Sequence, residues 1–266
     1  MWLLPKDSVY GGWPRSGEID MIESRGNRQL TVDNGNIGVQ QVASTLHWGP
    51  SPSSDAFMHA TASKNNNAGY ASDFHIYRVE WTKDHMRFTV DGEEIGSVYP
   101  SDSGFYGLGQ YGTVGRTRES LGRCQQLQDG SIRPTGKYLN LGNNKNFQVE
   151  TILMVVQEHI ANESAKKEES ESGDRISIER RRWGERFYII LNMAVGGNDF
   201  FPDNSKNPSG KPWSNTSPTA SSDFWNARDQ WLSTWQGDDA HLQVDYVKVF
   251  SRLTLTTSDV RLVVVK

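Results

Sequence analysis

Two stretches between Phe74 and Gly92 constrain the fold more than any other part of the chain. Phe74-His75-Ile76-Tyr77-Arg78-Val79-Glu80-Trp81 carries large apolar residues at 74, 76, 79 and 81, an alternation with one slip. Met86-Arg87-Phe88-Thr89-Val90 alternates cleanly and meets a turn at Asp91-Gly92. A period of two places successive side chains on opposite faces of an extended chain. The two stretches therefore predict a hairpin, joined by Thr82-Lys83-Asp84-His85. Leu242 to Phe250 also alternates and predicts a last strand. Phe187 to Val195 is almost continuously apolar, which predicts a strand buried on both faces. Gly196-Gly197 ends it, and Pro202, Pro208, Pro212 and Pro218 punctuate a long loop beyond.

Between these regions the character changes. From residue 113 to about 183 aromatics thin out, and tracts such as Lys166-Lys167-Glu168-Glu169 and Arg180-Arg181-Arg182 appear. The polar stretch from Asn162 to Asp174 has the composition of a solvated linker. A loop of this length is uncommon inside a compact domain. Residues 113–183 are therefore expected to be an insertion, disordered or mispredicted. It would divide one domain into a first part, 1–112, and a second part, 184–250. Within it, Ile152-Leu153-Met154-Val155-Val156 predicts a short helix or strand. Residues 251–266 form a tail with no assigned role. The low hydrophobic content, 35%, fits a chain of which part lies outside a packed core.

Several functional classes are disfavoured. A net charge of -4 gives no reason to expect a nucleic-acid partner. No apolar run approaches the roughly 20 residues that span a membrane. Cys124 is the only cysteine, so no internal disulfide forms, and it receives no role. CxxC, HExxH and Gly-rich phosphate-loop motifs are absent. Met1-Trp2-Leu3-Leu4-Pro5 has no basic leader and too short an apolar stretch for a signal peptide. Nine tryptophans suit either a sugar-binding β-protein or ordinary core packing.

The chemistry is concentrated in Gly17-Glu18-Ile19-Asp20-Met21-Ile22-Glu23. Hydrolysis of a glycosidic bond with retention needs two carboxyl groups: one attacks the anomeric carbon, and the other protonates the leaving oxygen and later activates water. A third carboxylate can hold the nucleophile and separate the pKa values of the other two. In a strand, positions 18 and 20 share a face, while 23 falls on the other. A one-residue bulge near Met21-Ile22 would return Glu23 to the face of Glu18, with Ile19 pointing into the core. The alternative is a solvated acidic strand face, although such a face would suffer mutual repulsion and gain little.

The longer stretch Gly11-Gly12-Trp13-Pro14-Arg15-Ser16-Gly17-Glu18-Ile19-Asp20-Met21-Ile22-Glu23-Ser24-Arg25-Gly26-Asn27 resembles the signature of family 16 glycoside hydrolases. Within that family it is similar to the laminarinases and the animal β-1,3-glucan-binding proteins. Ser44-Thr45-Leu46-His47-Trp48-Gly49-Pro50, the hairpin at 74–92, Phe187 to Phe201 and Asp223 to Phe250 follow in family order. The resemblance implies an all-β, concanavalin-like jelly-roll sandwich with a sugar cleft across one concave sheet. It assigns Glu18 as nucleophile, Asp20 as its assisting carboxylate and Glu23 as general acid/base. It implies a retaining endo-β-1,3-glucanase acting on β-glucan polysaccharide as a monomer, extracellular in the intact parent protein. The alternatives are a non-catalytic pattern-recognition protein of innate immunity, or an inactive fragment of either. The family domain has strands upstream of Trp2, so the chain is expected to be N-terminally truncated, with 113–183 as a non-family insertion.

Further residues are assigned with this resemblance in view. Trp13 is expected to be a stacking platform for a glucosyl ring, or else a rim-packing aromatic. His47 would hydrogen-bond a sugar hydroxyl or tune Glu23, against a purely structural role. Trp48 beside it is grouped with the cleft. Asn192, the polar residue in a buried apolar run, would line the cleft or bond a neighbouring backbone. Arg15 and Arg25 would pair with a carboxylate or sit at the rim. Trp213, Trp225, Trp231 and Trp235 read mostly as packing rings. No cofactor is required. A structural calcium ion at Asp245 on the last strand is allowed by the resemblance but not predicted. Asn162 and Asn215 begin glycosylation sequons, with Asn215 favoured because its Pro-rich loop should be exposed.

Overall fold

The computed structural model describes residues 1–8, 10–33, 35–82, 85–100, 152–155, 187–237, 241–254 and 257–265. Of the expected insertion, Ile152–Val155 falls within this set; Cys124 and the Asn162 sequon lie outside the described residues. In chain order the strands are β1 (Trp2–Pro5), β2 (Glu18–Ser24), β3 (Thr31–Val32), β4 (Gly35–Asn36), β5 (Gln41–His47), β6 (Thr61–Asn65) and β7 (Ile76–Trp81). They continue with β8 (Met86–Val90), β9 (Glu93–Val98), β10 (Ile152–Val155), β11 (Phe187–Leu191), β12 (Tyr246–Thr254) and β13 (Thr257–Val265). One short helix, α1 (Ala220–Asn226), lies in the loop before β12.

Two antiparallel sheets form a sandwich, so the chain is all-β, in keeping with the expected jelly roll. One sheet runs β10-β11-β1-β2-β5-β6 and the other β12-β13-β7-β8-β9, while β3 and β4 make a separate two-stranded ribbon. The core lies between the sheets. Leu3, Ile19, Leu46 and Ile189 from the first meet Tyr77, Val79, Met86, Phe88, Val90 and Val247 from the second. Removing each such aliphatic or aromatic side chain from water stabilises the fold by about 1.5–3 kcal/mol. Trp81 and Phe187 close one side edge to face, with ring centroids 5.6 Å apart.

The hairpin forms as the alternation requires. Trp81 pairs with Met86 and Tyr77 with Val90. The connection closes through the Thr82 N–H donating to the His85 carbonyl at 2.9 Å. β7 begins at Ile76 rather than Phe74, which is exposed. The Asp91 carboxylate accepts the Ile76 N–H at 2.8 Å and marks that boundary.

Two other strands are displaced from their expected limits. The run from Phe187 is strand only to Leu191, because β1 pairs with 187–190 and β10 with 188–191. Within those limits burial on both faces holds: Ile189 is 0% exposed and Ile190 5%. The expected strand from Leu242 starts at Tyr246, whose register partner is Val265 at the end of β13. Asp245 is therefore an exposed residue just before a strand, not a member of it. Residues 257–265 insert as β13 between β12 and β7.

The long loop after β11 is held by aromatic contacts. Phe201 meets Trp213, Trp213 meets Phe224, and Phe224 stacks on Trp231 at 4.5 Å and 8°. Trp213 and Trp231 are thus packing rings, whereas Trp225 and Trp235 keep exposed faces. The Asn215 sequon is less open than expected. Its side-chain N–H donates to the Phe201 carbonyl at 3.0 Å, and its oxygen accepts from Lys211, which also pairs with Asp203.

The sheets approach most closely where β9 faces β6. A Cβ added at Gly96 would lie 2.4 Å from the Ala62 Cβ, closer than any relaxed contact. Gly96→Ala is expected to destabilise the fold by about 1–3 kcal/mol through overpacking. A lower urea midpoint with an unchanged slope is the signature to look for.

Candidate active site

The acid-bearing strand is delivered by a tight loop. Gly17 has φ +87, a conformation costly for other residues, and its N–H donates to the Pro14 carbonyl at 3.0 Å. The buried Ser16 hydroxyl donates to the Gly11 carbonyl at 2.8 Å and accepts the Tyr10 N–H at 3.1 Å. The chain then enters β2 at Glu18.

β2 pairs with β5 in the register Glu18 to His47, Ile19 to Leu46 and Asp20 to Thr45, then slips so that Glu23 opposes Ala43. This is the expected bulge at Met21-Ile22. Ile19 and Met21 are 0% and 1% exposed, and Ile22 packs against the same core. Three inward residues among four positions force Glu23 outward on the side of Glu18 and Asp20. The bulge has its own supports. The buried Ser44 hydroxyl donates to the Met21 carbonyl at 2.8 Å, and the Ile22 N–H donates to the Met1 carbonyl at 3.1 Å.

The acids are not a solvated face. Asp20 is 4% exposed, and Glu18 and Glu23 are half-buried. Burial, followed by the charge of Asp20, raises the Glu18 carboxyl to about 7, against smaller downward pulls from His47 and Trp13. Burial and then Asp20 likewise raise Glu23, with the Met1 amine, His47 and Arg25 opposing in that order. Trp13 donates its indole N–H to Glu18 Oε2 at 2.5 Å and leaves 46% of its surface open. It is therefore bonded to the acid as well as exposed beside it.

His47 sits across the strand pair, diagonal to Asp20. Its Nε2 lies 3.1 Å from Asp20 Oδ2, and its Nδ1 lies 2.6 Å from Asp55 Oδ2. The ring stacks near Phe57 at 5.5 Å and tilts against Trp13 at 5.5 Å. Burial would lower its pKa, but the hydrogen bonds to Asp20 and Asp55 outweigh that and raise it to about 9. Glu18, Asp20 and His47 bring ligand-type atoms within 4.8 Å of one another. Both ring nitrogens already meet carboxylates, so the cluster is satisfied by its own hydrogen bonds. That is the one such group found among the described residues, and Asp245 is not in it.

Other expected positions differ. Trp48 is 1% exposed and belongs to the core, not the cleft. It lies just past the end of β5, where its backbone is tied to Asp55 and Ala56. Asn192 is exposed and follows β11, rather than lying within a buried run. Its Oδ1 accepts the Trp2 indole N–H at 2.8 Å. Trp2 stands opposite Asp20 in the β1–β2 register, which brings Asn192 to the border of the acid face. Arg15 donates to the Pro50 carbonyl. Arg25 donates to the Phe200 carbonyl and stacks over its ring at 4.2 Å. Both arginines thus tie loops at the rim. Trp2, Asp55 and Phe57 were not singled out from sequence. For Trp2 the signal was present in the register of Leu3 with the core; for Asp55 and Phe57 no local pattern marks them.

Ser44→Ala leaves the Met21 carbonyl without that donor in a buried setting. A stability loss of about 1–3 kcal/mol is expected by denaturant titration, with Ser44→Thr recovering part of it if the larger side chain is accommodated.

Residues 1–112 match the profile described as Glycosyl hydrolases family 16. A β-1,3-glucan-binding protein of Penaeus monodon is 36% identical over 260 residues, covering 94% of this chain and 53% of that protein. β-1,3-glucan-binding protein 1 of Galleria mellonella is 29% identical over 94% of this chain and 37% of its own length. A glucan endo-1,3-beta-glucosidase of Cryptopygus antarcticus is 35% identical over 102 residues, 38% of this chain and 32% of its own. The chain thus spans about half or less of the length of these relatives. The two-sheet β architecture and the acid-bearing bulged strand thus accompany a match to glycosyl hydrolase family 16 over residues 1–112.

Proposed function

We propose that the chain carries the catalytic face of a retaining endo-β-1,3-glucan hydrolase that acts on extracellular β-glucan without a cofactor. The observation that carries this reading is the bulge, which sets Glu23 on the same face as Glu18 with Asp20 between them. Glu18 attacks the anomeric carbon and forms a glycosyl-enzyme. Glu23 protonates the departing oxygen and then removes a proton from the incoming water. The Trp13 hydrogen bond holds the Glu18 carboxylate in one orientation, while the open part of its ring offers an apolar face to a glucosyl unit. A raised Glu23 remains protonated where a free glutamate would not, as a general acid requires.

A second reading is retention of β-1,3-glucan without turnover, as in recognition proteins of innate immunity. It is favoured by the names of the relatives that align along 94% of the chain, which are β-1,3-glucan-binding proteins. The two readings separate on one pair of assays. Reducing-sugar release from laminarin that disappears in Glu18→Gln, while binding to insoluble β-1,3-glucan persists, supports hydrolysis. Release from the variant at the parental rate would sink the nucleophile assignment. Retention on glucan with no release from the parent chain selects recognition.

The raised Glu18 carries a pH signature. The nucleophile must be ionised, so kcat/KM is expected to climb as pH rises through about 7. Stability moves the opposite way. The folded chain holds the Glu18 proton more tightly than the unfolded one, so this group's contribution declines as pH rises from 4.5 through about 7. Glu18→Gln should therefore be more stable than the parent at pH 8, by urea unfolding, with the difference vanishing toward pH 4.

A further inference from the structure

We propose that Asp55 is a positioning residue that keeps His47 doubly protonated, so that the acid face carries a built-in positive charge against Asp20. The argument begins with hydrogen-bond counting. A neutral imidazole donates from one nitrogen and accepts at the other. Here both nitrogens face carboxylate oxygens, Asp55 Oδ2 at 2.6 Å and Asp20 Oδ2 at 3.1 Å. A carboxylate oxygen at each nitrogen calls for an N–H donor from each, hence an imidazolium.

Asp55 is itself fixed in place. Its side chain is 5% exposed, and Oδ1 accepts the backbone N–H groups of Trp48 and Phe57, each at 3.2 Å. The surrounding loop is shaped to put it there. The Ala56 N–H donates to the Trp48 carbonyl at 2.7 Å. Gly49 has φ +155, and a Cβ there would lie 2.1 Å from the Ser54 carbonyl oxygen. The Gly49 position thus admits the chain segment that brings Asp55 under His47. Phe57 and Trp13 flank the ring, an arrangement that tolerates a cation.

The consequence concerns the acids. The charged groups facing His47 are Glu18, Asp20 and Glu23 from β2 and Asp55 from the loop after β5. Three carboxylates on one face disfavour one another's ionisation. A cation beside Asp20 offsets part of that repulsion and pulls the Glu18 and Glu23 carboxyls down from where burial alone would set them. Asp55 lies behind the ring, so His47 presents the cation to the acids and keeps the balancing anion on its far side. The kinetic part of this inference rests on the hydrolase reading; the protonation part does not.

Asp55→Asn separates charge from shape. The amide oxygen can still accept the Trp48 and Phe57 N–H groups, while its N–H₂ faces His47 Nδ1 and turns that nitrogen into an acceptor. The experiment is an NMR titration of His47 in the intact chain, its signal identified by its loss in His47→Gln. In the parent, both ring nitrogens should remain protonated at pH 7, with a midpoint near 9. In Asp55→Asn the midpoint should fall by more than about one unit. The acid limb of kcat/KM on laminarin should then move to higher pH by about one unit, since the acids lose their counter-charge. A neutral His47 at pH 7 in the parent overturns the proposal, and that measurement stands even where Asp55→Asn does not fold. An unchanged midpoint in a folded variant overturns it as well. A parent chain that releases no sugar removes the hydrolase reading and its kinetic arm, while the titration still decides the role of Asp55.

Discussion

Between Asp20 and Glu23 the pairing of β2 with β5 slips by one residue, and the acid face exists because of that slip. Regular pleating would send Glu23 to the opposite side from Glu18. The extra residue also explains why Ile19, Met21 and Ile22 all turn toward the core within one short strand. A bulge leaves ladder groups unmatched, and here a side chain from the next strand and the backbone of Met1 meet them. The feature that gives the strand its chemistry is therefore anchored on both flanks by its neighbours.

Collecting three carboxylates on one half-buried face has an electrostatic cost. Burial and mutual repulsion raise Glu18 and Glu23, and both effects destabilise the ionised fold. The surrounding residues answer with groups of the opposite character. Trp13 donates to Glu18, and His47 donates toward Asp20. Asp55 is bound into the backbone of the following loop and meets the far side of the imidazole. The result is a graded arrangement rather than a uniform acidic patch. Asp20 is buried and paired, while the two glutamates stand at its sides with raised affinity for protons. Double displacement requires one carboxyl ionised as nucleophile and one protonated as acid.

The sandwich supplies rigidity to this face from behind. Ile19 and Leu46, neighbours across β2 and β5, are both fully buried against the opposite sheet. Any displacement of the acid strand would open that core. The rim is tied separately. Arg25 reaches the Phe200 carbonyl and ring, linking the end of β2 to the loop after β11. That loop is in turn stitched by the aromatic contacts from Phe201 to Trp235. Segments almost two hundred positions apart in sequence thus border one surface.

Residue order alone determined whatever follows from the pleat and from local apolar pattern. The 76–90 hairpin and the inward Ile19 could be read from where apolar residues fall among polar ones, because a strand's two faces alternate within a few positions, and the bulge from the spacing that must bring Glu23 to the face of Glu18. Trp48, just past the end of β5, is buried in the core although its neighbour His47 faces the acids, and no strand pattern reaches it. Tertiary structure decided the rest. β11 and β12 take their limits from the strands beside them, not from their own hydrophobicity. Asn192 gained its place through Trp2, and Asp55 through an imidazole on the preceding strand. A hydrogen bond depends on where two distant groups meet, and no local periodicity records that meeting.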